Sequence, residues 1–216
     1  GEEVDSVPKP TFFNLPESKQ QAIITAAIEE FAAQPYELAS VSKIVSKANI
    51  AKGSMYQYFE NKRELYLYVL DLAYAKKKQF LQTVFTDRND FFTTLKQYYK
   101  RSYMFACAYP MEHQIITNYW ERYCEEEFDQ QIKASRELRA ADFLRLMAEA
   151  AKDGQINPHL DQDAVFFVYH SVGKELIDNF TGIPETDYEQ HLRFIENVLD
   201  VLAEGLRKRR EDEICG

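Results

Sequence analysis

Long apolar runs are missing from this chain. No stretch of 18 residues is apolar enough to cross a bilayer, and no basic-plus-apolar leader opens it. A cytoplasmic protein with no membrane contact is therefore expected. Only three cysteines occur, Cys107, Cys124 and Cys215, an odd number without metal-ligand spacing. That count argues against a disulfide scaffold and for reduced, buried thiols. The four histidines, His113, His159, His170 and His191, form no i,i+4 pair, so no metal site is expected. Nor is there a glycine-rich phosphate loop, a Ser/His/Asp order or a catalytic carboxylate motif, and no cofactor and no enzymatic activity are read. Seven Gly and seven Pro in 216 residues are few, and they fall mostly between periodic segments. Breakers placed that way suit an all-α chain.

What is present begins with charge. The net charge of −9 looks hostile to nucleic acid, because a uniformly acidic surface repels phosphate. Its distribution reverses that inference. Between Ser40 and Arg63 stand five basic residues (Lys43, Lys47, Lys52, Lys62, Arg63) against the single acid Glu60. From Glu64 onward 19 basic residues face 27 acidic ones, so a locally positive head precedes a negative body.

Periodicity and capping chemistry predict about nine helices and no strand. Residues 1–15, with Pro8 and Pro10, read as a flexible arm. A first helix starts near Pro16, with Ile24, Ala27, Ile28 and Phe31 as its buried face. Ser40 caps a second helix whose core face is Val41, Ile44, Val45 and Ala48. Asn49 stands where the chain must reverse, and Asn tolerates the left-handed conformation better than anything but Gly. A third helix runs from about Lys52 to Phe59, turning Met55 and Phe59 inward. Longer helices follow at about 61–85, 89–109, 111–123, 126–152, 161–180 and 185–209. Asn61 is a cap for the first of these, and Asp153-Gly154 closes the fourth.

Two short helices around a tight turn, the second small and basic at its start and aromatic at its end, fit a helix-turn-helix that offers its second helix to a DNA major groove. The residues Ile44, Ala48, Ile50, Lys52-Gly53-Ser54-Met55-Tyr56, Tyr58-Phe59 and Asn61-Lys62-Arg63-Glu64-Leu65 resemble the DNA-binding head of the TetR family of bacterial transcriptional regulators. The resemblance covers residues 16–65; beyond them only length, helix count and a two-helix ending match. It departs at Asn49, where family members often carry Gly, and at Ala51, where many carry a capping Ser or Thr. The expected organisation is an arm over 1–15, a helix-turn-helix domain over 16–62, and a ligand-binding and dimerisation domain over 63–216.

Gly53 has no side chain to hold a duplex away. The resemblance implies phosphate contacts from Tyr56 and Lys62, and a groove-facing side of Ser42, Lys52, Ser54 and Tyr58; Lys43 and Gln57 complete the DNA-binding candidates. Lys52 is the candidate base contact, since lysine donates to guanine O6 and N7; Tyr58 is left as a phosphate or a thymine-methyl contact. One head binds weakly, so a homodimer on a palindromic operator is expected, its heads ~34–36 Å apart. In the last helix Leu192, Ile195, Leu199, Leu202 and Leu206 form one apolar stripe, and Phe194, Val198, Val201 and Gly205 a second. The preceding helix adds Val165, Val168, Val172 and Leu176, with Gly173 where a partner could cross closely. One stripe packs a helix on its own domain; two imply a partner. Many of the body's aromatics are core. The resemblance nevertheless implies a small-molecule effector pocket, with Tyr99, Tyr103, Tyr119, Trp120, Tyr123, Phe143, Phe167 and His170 as candidates and an apolar or aromatic ligand as occupant. The whole then reads as a repressor released by its effector. The rival reading is an all-helical carrier or enzyme with a non-functional head, and it predicts no operator binding.

Overall fold

The computed structural model describes residues 8–85, 90–123, 129–133, 136–180 and 187–206. Among them are eleven α-helical stretches and no strand: α1 (Pro10–Phe13), α2 (Glu17–Ala33), α3 (Val41–Lys47), α4 (Met55–Tyr58), α5 (Lys62–Phe80), α6 (Phe91–Ala108), α7 (Pro110–Tyr123), α8 (Gln130–Lys133), α9 (Arg136–Lys152), α10 (Gln162–Asp178) and α11 (Tyr188–Leu206). Tight 3-10 turns at Lys52–Ser54 and Gln82–Phe85 complete the set. None of the described helices is long and apolar enough to cross a membrane.

Local chemistry sets several boundaries. The Ser40 hydroxyl accepts from the Lys43 amide at 3.4 Å to open α3, and Asn61 Oδ1 accepts from the Glu64 amide at 2.9 Å to open α5. Asp161 caps α10 through the Ala164 amide at 2.8 Å. Asn49 takes φ 54°, and the turn closes with Ile50 N donating to Val45 O and Asn49 N to Ser46 O. Those two bonds satisfy carbonyls that the end of α3 leaves orphaned. Gly154, at φ 71°, ends α9 in the same way, with Gln155 N donating to Ala150 O at 2.9 Å.

The chain packs as two compact units, residues 1–78 with 109–135 and residues 79–108 with 136–216. In the first, α2 lies against both α3 and α7. Its buried face is accordingly Ile23, Ala26, Ala27 and Phe31, rotated from the expected one, and Ile24 and Ile28 are half-buried. From α7, Asn118 Nδ2 donates to the Phe31 and Ala32 carbonyls at 3.0 and 3.1 Å, satisfying the end of α2 from outside. The segment expected as a loose arm is folded where described: Phe12 of α1 is fully buried. A four-residue helix has no periodicity for a sequence to display.

In the second unit α6 packs against α9, α10 and α11. Leu192, Ile195 and Leu199 of α11 and Val165 and Leu176 of α10 share its core with Phe91, Leu95, Tyr99 and Tyr103. Gly173 is the closest approach. A Cβ built there would lie 1.9 Å from Tyr99 Cε1, and that ring is fixed by its hydroxyl donating to Tyr169 O at 2.7 Å. Since the ring cannot swing away without breaking that bond, Gly173→Ala is expected to lower stability by ~1–3 kcal/mol, read as a shifted urea midpoint. Cys107, expected to be buried, is exposed; Cys124 and Cys215 lie outside the described residues.

Candidate functional site

The segment from Lys52 to Phe59 is short and weakly capped. Ala51 supplies no side-chain bond, and the first turn tightens to 3-10 geometry before the four residues of α4. Met55 and Phe59 point into the core, as expected. Lys52, Gly53, Tyr56 and Gln57 are exposed, and Ser54 and Tyr58 half-buried. Ser42 and Lys43 are exposed on α3. Nothing stands within 4 Å of a Cβ built on Gly53, so the fold itself does not require glycine there. The small residue leaves room for something outside the chain.

Five cations look alike in the sequence, and the structure separates them. Lys47 pairs with Glu29, and Arg63 pairs with Asp129 at 3.3 Å. The Lys62 ammonium donates to the Tyr36, Glu37 and Ala39 carbonyls at 2.8, 3.2 and 3.3 Å and lies 4.6 Å over the Tyr36 ring. All three of its N–H groups have acceptors, so a phosphate contact from Lys62 has to replace one of them. Burial, with the Asp129 charge adding to it, pushes the Tyr36 hydroxyl up to about 12. The ammonium groups of Lys43 and Lys52 have no partner among the described residues. These two cations are the ones the fold leaves available to an anion.

The pocket candidates fall in both units. Tyr119 is fully buried and Trp120 half-buried in the first. The side chains of Tyr123 and Leu206 lie outside the described residues. In the second unit Tyr99 stacks 6.5 Å from Tyr169, with Phe143 6.2 Å from the same ring. The Tyr103 hydroxyl bonds His191 Nδ1 at 3.0 Å, and His170 stacks on Phe166. Phe167 is 62% exposed and joins none of these clusters, because two residues from both Val165 and Tyr169 place it ~160° round α10, nearly opposite the buried line. Two buried hydroxyls that sequence reasoning missed, those of Ser102 and Tyr169, have no hydrogen-bond partner among the described residues. Burial pushes the Tyr169 hydroxyl up to about 12. Only packing could have revealed them.

The dimer candidates divide too. Val165, Leu176, Leu192, Ile195 and Leu199 are taken up by the core of their own unit, and Gly173 is crossed by the chain's own Tyr99. Val172 and Leu202 are half-buried. Exposed apolar side chains remain at Phe167 and Val168 on α10 and at Phe194 and Val201 on α11. Between those helices lies a groove lined by Ser171, Val172, Glu175, Leu176, Asn179, Phe180 and Phe194.

Residues 23–69 match the family model for bacterial regulatory proteins of the tetR family. A solved structure, a TetR family transcriptional regulator from Chloroflexus aurantiacus, is 32% identical with a TM-score of 0.71, over 94% of this chain and 100% of that one. The transcriptional regulator RutR of Escherichia coli is 24% identical over 213 residues, 89% of this chain and 92% of the relative. The fatty acid metabolism regulator of Bacillus subtilis is 36% identical over 69 residues, 32% of this chain and 34% of that protein. All three are regulators by name, the first two of transcription, which is the reading that a basic helix-turn-helix supports, and the carrier or enzyme alternative has no counterpart among them. Head motif, all-α architecture and full-length likeness agree: the chain belongs to the TetR family, as a helix-turn-helix transcriptional regulator that binds DNA.

Proposed function

We propose that the protein is a dimeric, non-enzymatic repressor whose α4 segment enters the major groove of a palindromic operator and leaves it when a small effector binds the second unit. One observation carries the DNA-binding part. Of the five cations between Lys43 and Arg63, the fold commits three to its own groups and leaves Lys43 and Lys52 exposed, Lys52 directly before the open Gly53. Lys52 is the base-reading residue in this account, with Ser42, Lys43, Ser54, Tyr56, Gln57 and Tyr58 around it. Lys62 acts first as a brace for the loop between α2 and α3, and only secondarily on phosphate. Lys52→Ala is expected to lower discrimination between operator and random duplex by about tenfold or more, the worth of one good base contact, while Lys43→Ala weakens both alike. Fluorescence anisotropy on the two duplexes reads the difference. An unchanged ratio for Lys52→Ala removes the base contact.

The Ser102 and Tyr169 hydroxyls support the effector site. A buried, unpaired hydroxyl costs ~1–3 kcal/mol, and a ligand with one polar group on an apolar frame recovers it. Such a molecule, lying among Tyr99, Phe143 and Tyr169, has to favour the DNA-incompetent arrangement by ~1–3 kcal/mol to act as a switch. For dimerisation the support is the exposed pair of apolar lines on α10 and α11 beside the groove at Phe194.

A further inference from the structure

A seven-residue reading segment is too short to hold its shape alone, because helix nucleation is unfavourable and most helical stability comes from tertiary contacts. Its start has no side-chain cap at Ala51 or Ser54. Its end leaves carbonyls without helical partners, as every helix does. Those of Tyr56, Gln57 and Tyr58 are three in a row, and all three accept from one short stretch of chain. Lys9 Nζ donates to Tyr56 O at 3.0 Å, Thr11 Oγ1 to Gln57 O, and the Lys9 amide to Tyr58 O at 2.8 Å. Lys9 also pairs with Glu60 at 2.7 Å, just beyond the segment, and this contact holds the Glu60 carboxyl below its usual range. Phe12 anchors the stretch, with its ring 5.1 Å from Phe59, 5.7 Å from Tyr68 and 6.3 Å from Tyr58.

We infer that Lys9, Thr11 and Phe12 form a latch that positions the DNA-reading helix. The latch grips main-chain oxygens, so the side chains of Tyr56 and Gln57 stay exposed and free for a duplex. Lys9 and Thr11 are positioning residues: they set the register of α4 and need not touch DNA. The inference rests on the reading that α4 enters the groove. It goes further in making sequence discrimination depend on a segment outside the helix-turn-helix.

The test uses the full chain and a duplex that the wild-type protein enriches from a randomised library. Thr11→Val removes the donor and keeps the shape; Thr11→Ser restores the donor. Thr11→Val is expected to lose about fivefold to tenfold in affinity for the enriched duplex, the worth of one hydrogen bond. Its affinity for random duplex and its salt slope should stay at wild-type values, since no phosphate contact is lost. Thr11→Ser should recover to within about twofold of wild type. Amide exchange at Phe59, whose N–H donates to Met55 O at 2.9 Å, should quicken in Thr11→Val and not in Thr11→Ser. Unchanged discrimination in Thr11→Val overturns the latch, whether or not Phe59 exchange quickens. A loss shared equally by both duplexes, with a shallower salt slope, overturns it too by making Thr11 a phosphate contact. Failure of the underlying reading looks different: the wild-type protein then enriches no sequence at all. Thermal midpoints of all three proteins, expected to agree within a few degrees, separate a positioning defect from unfolding.

Discussion

Phe59→Ala is expected to lower the stability of the first unit by ~3–5 kcal/mol, the range for removing a buried phenylalanine. It should abolish duplex binding with it. The side chain is 1% exposed and lies at the end of the reading segment, where the backbone has turned extended. Phe12 and Tyr68 both pack on it, with centroids 5.1 and 5.7 Å away and 5.7 Å from each other. Truncation leaves a ring-sized cavity between α1, α4 and α5, and it removes two aromatic contacts each worth ~0.5–1.5 kcal/mol beyond their area. Domains are typically stable by ~5–15 kcal/mol, so the loss is a large share of the whole. The chain has one tryptophan, Trp120, and it lies in the same unit. Its fluorescence during denaturant titration therefore follows the unit that Phe59 supports. A midpoint equal to wild type is incompatible with the packing described.

Features written in a few adjacent residues could be read from the sequence. The caps at Ser40 and Asn61, the left-handed Asn49 and the stop at Gly154 each depend on side chains or backbone within about five positions, and each is found in the structure. Features decided by distant parts of the chain could not be read. The face of α2 shifted because α7, some 87 residues away, claims one side of it. Lys47, Lys62 and Arg63 look like free cations until Glu29, the 36–39 carbonyls and Asp129 are folded against them. α1 has too few residues to show a period, and its evidence is wholly tertiary. Likewise, α11 carries two apolar stripes that periodicity weighs equally. Only burial tells which one the chain keeps for itself.

That asymmetry between the stripes makes the dimer face testable. Val201 is 74% exposed and Val168 is exposed on α10, so glutamate at both positions should leave the folded chain within about 0.5 kcal/mol of wild type per site. In a packed interface between two copies the same carboxylates become buried charges without partners, at ~3–5 kcal/mol each. Val168→Glu/Val201→Glu is thus expected to sediment as a monomer at concentrations where the wild-type protein is a dimer. Losing the second head removes the effective-concentration gain of a tethered pair, which is ~10²–10⁴ in affinity. Binding to the full palindrome should then fall by about a hundredfold or more, and binding to an isolated half-site should hardly change. Leu199→Glu is the contrast: that side chain is buried against α6 in its own unit, and its replacement should unfold the unit instead of separating two folded chains. A double variant that stays dimeric with wild-type affinity for the palindrome excludes this face. Since the other stripe is already consumed by the core, the partner would then have to meet a surface away from α10 and α11.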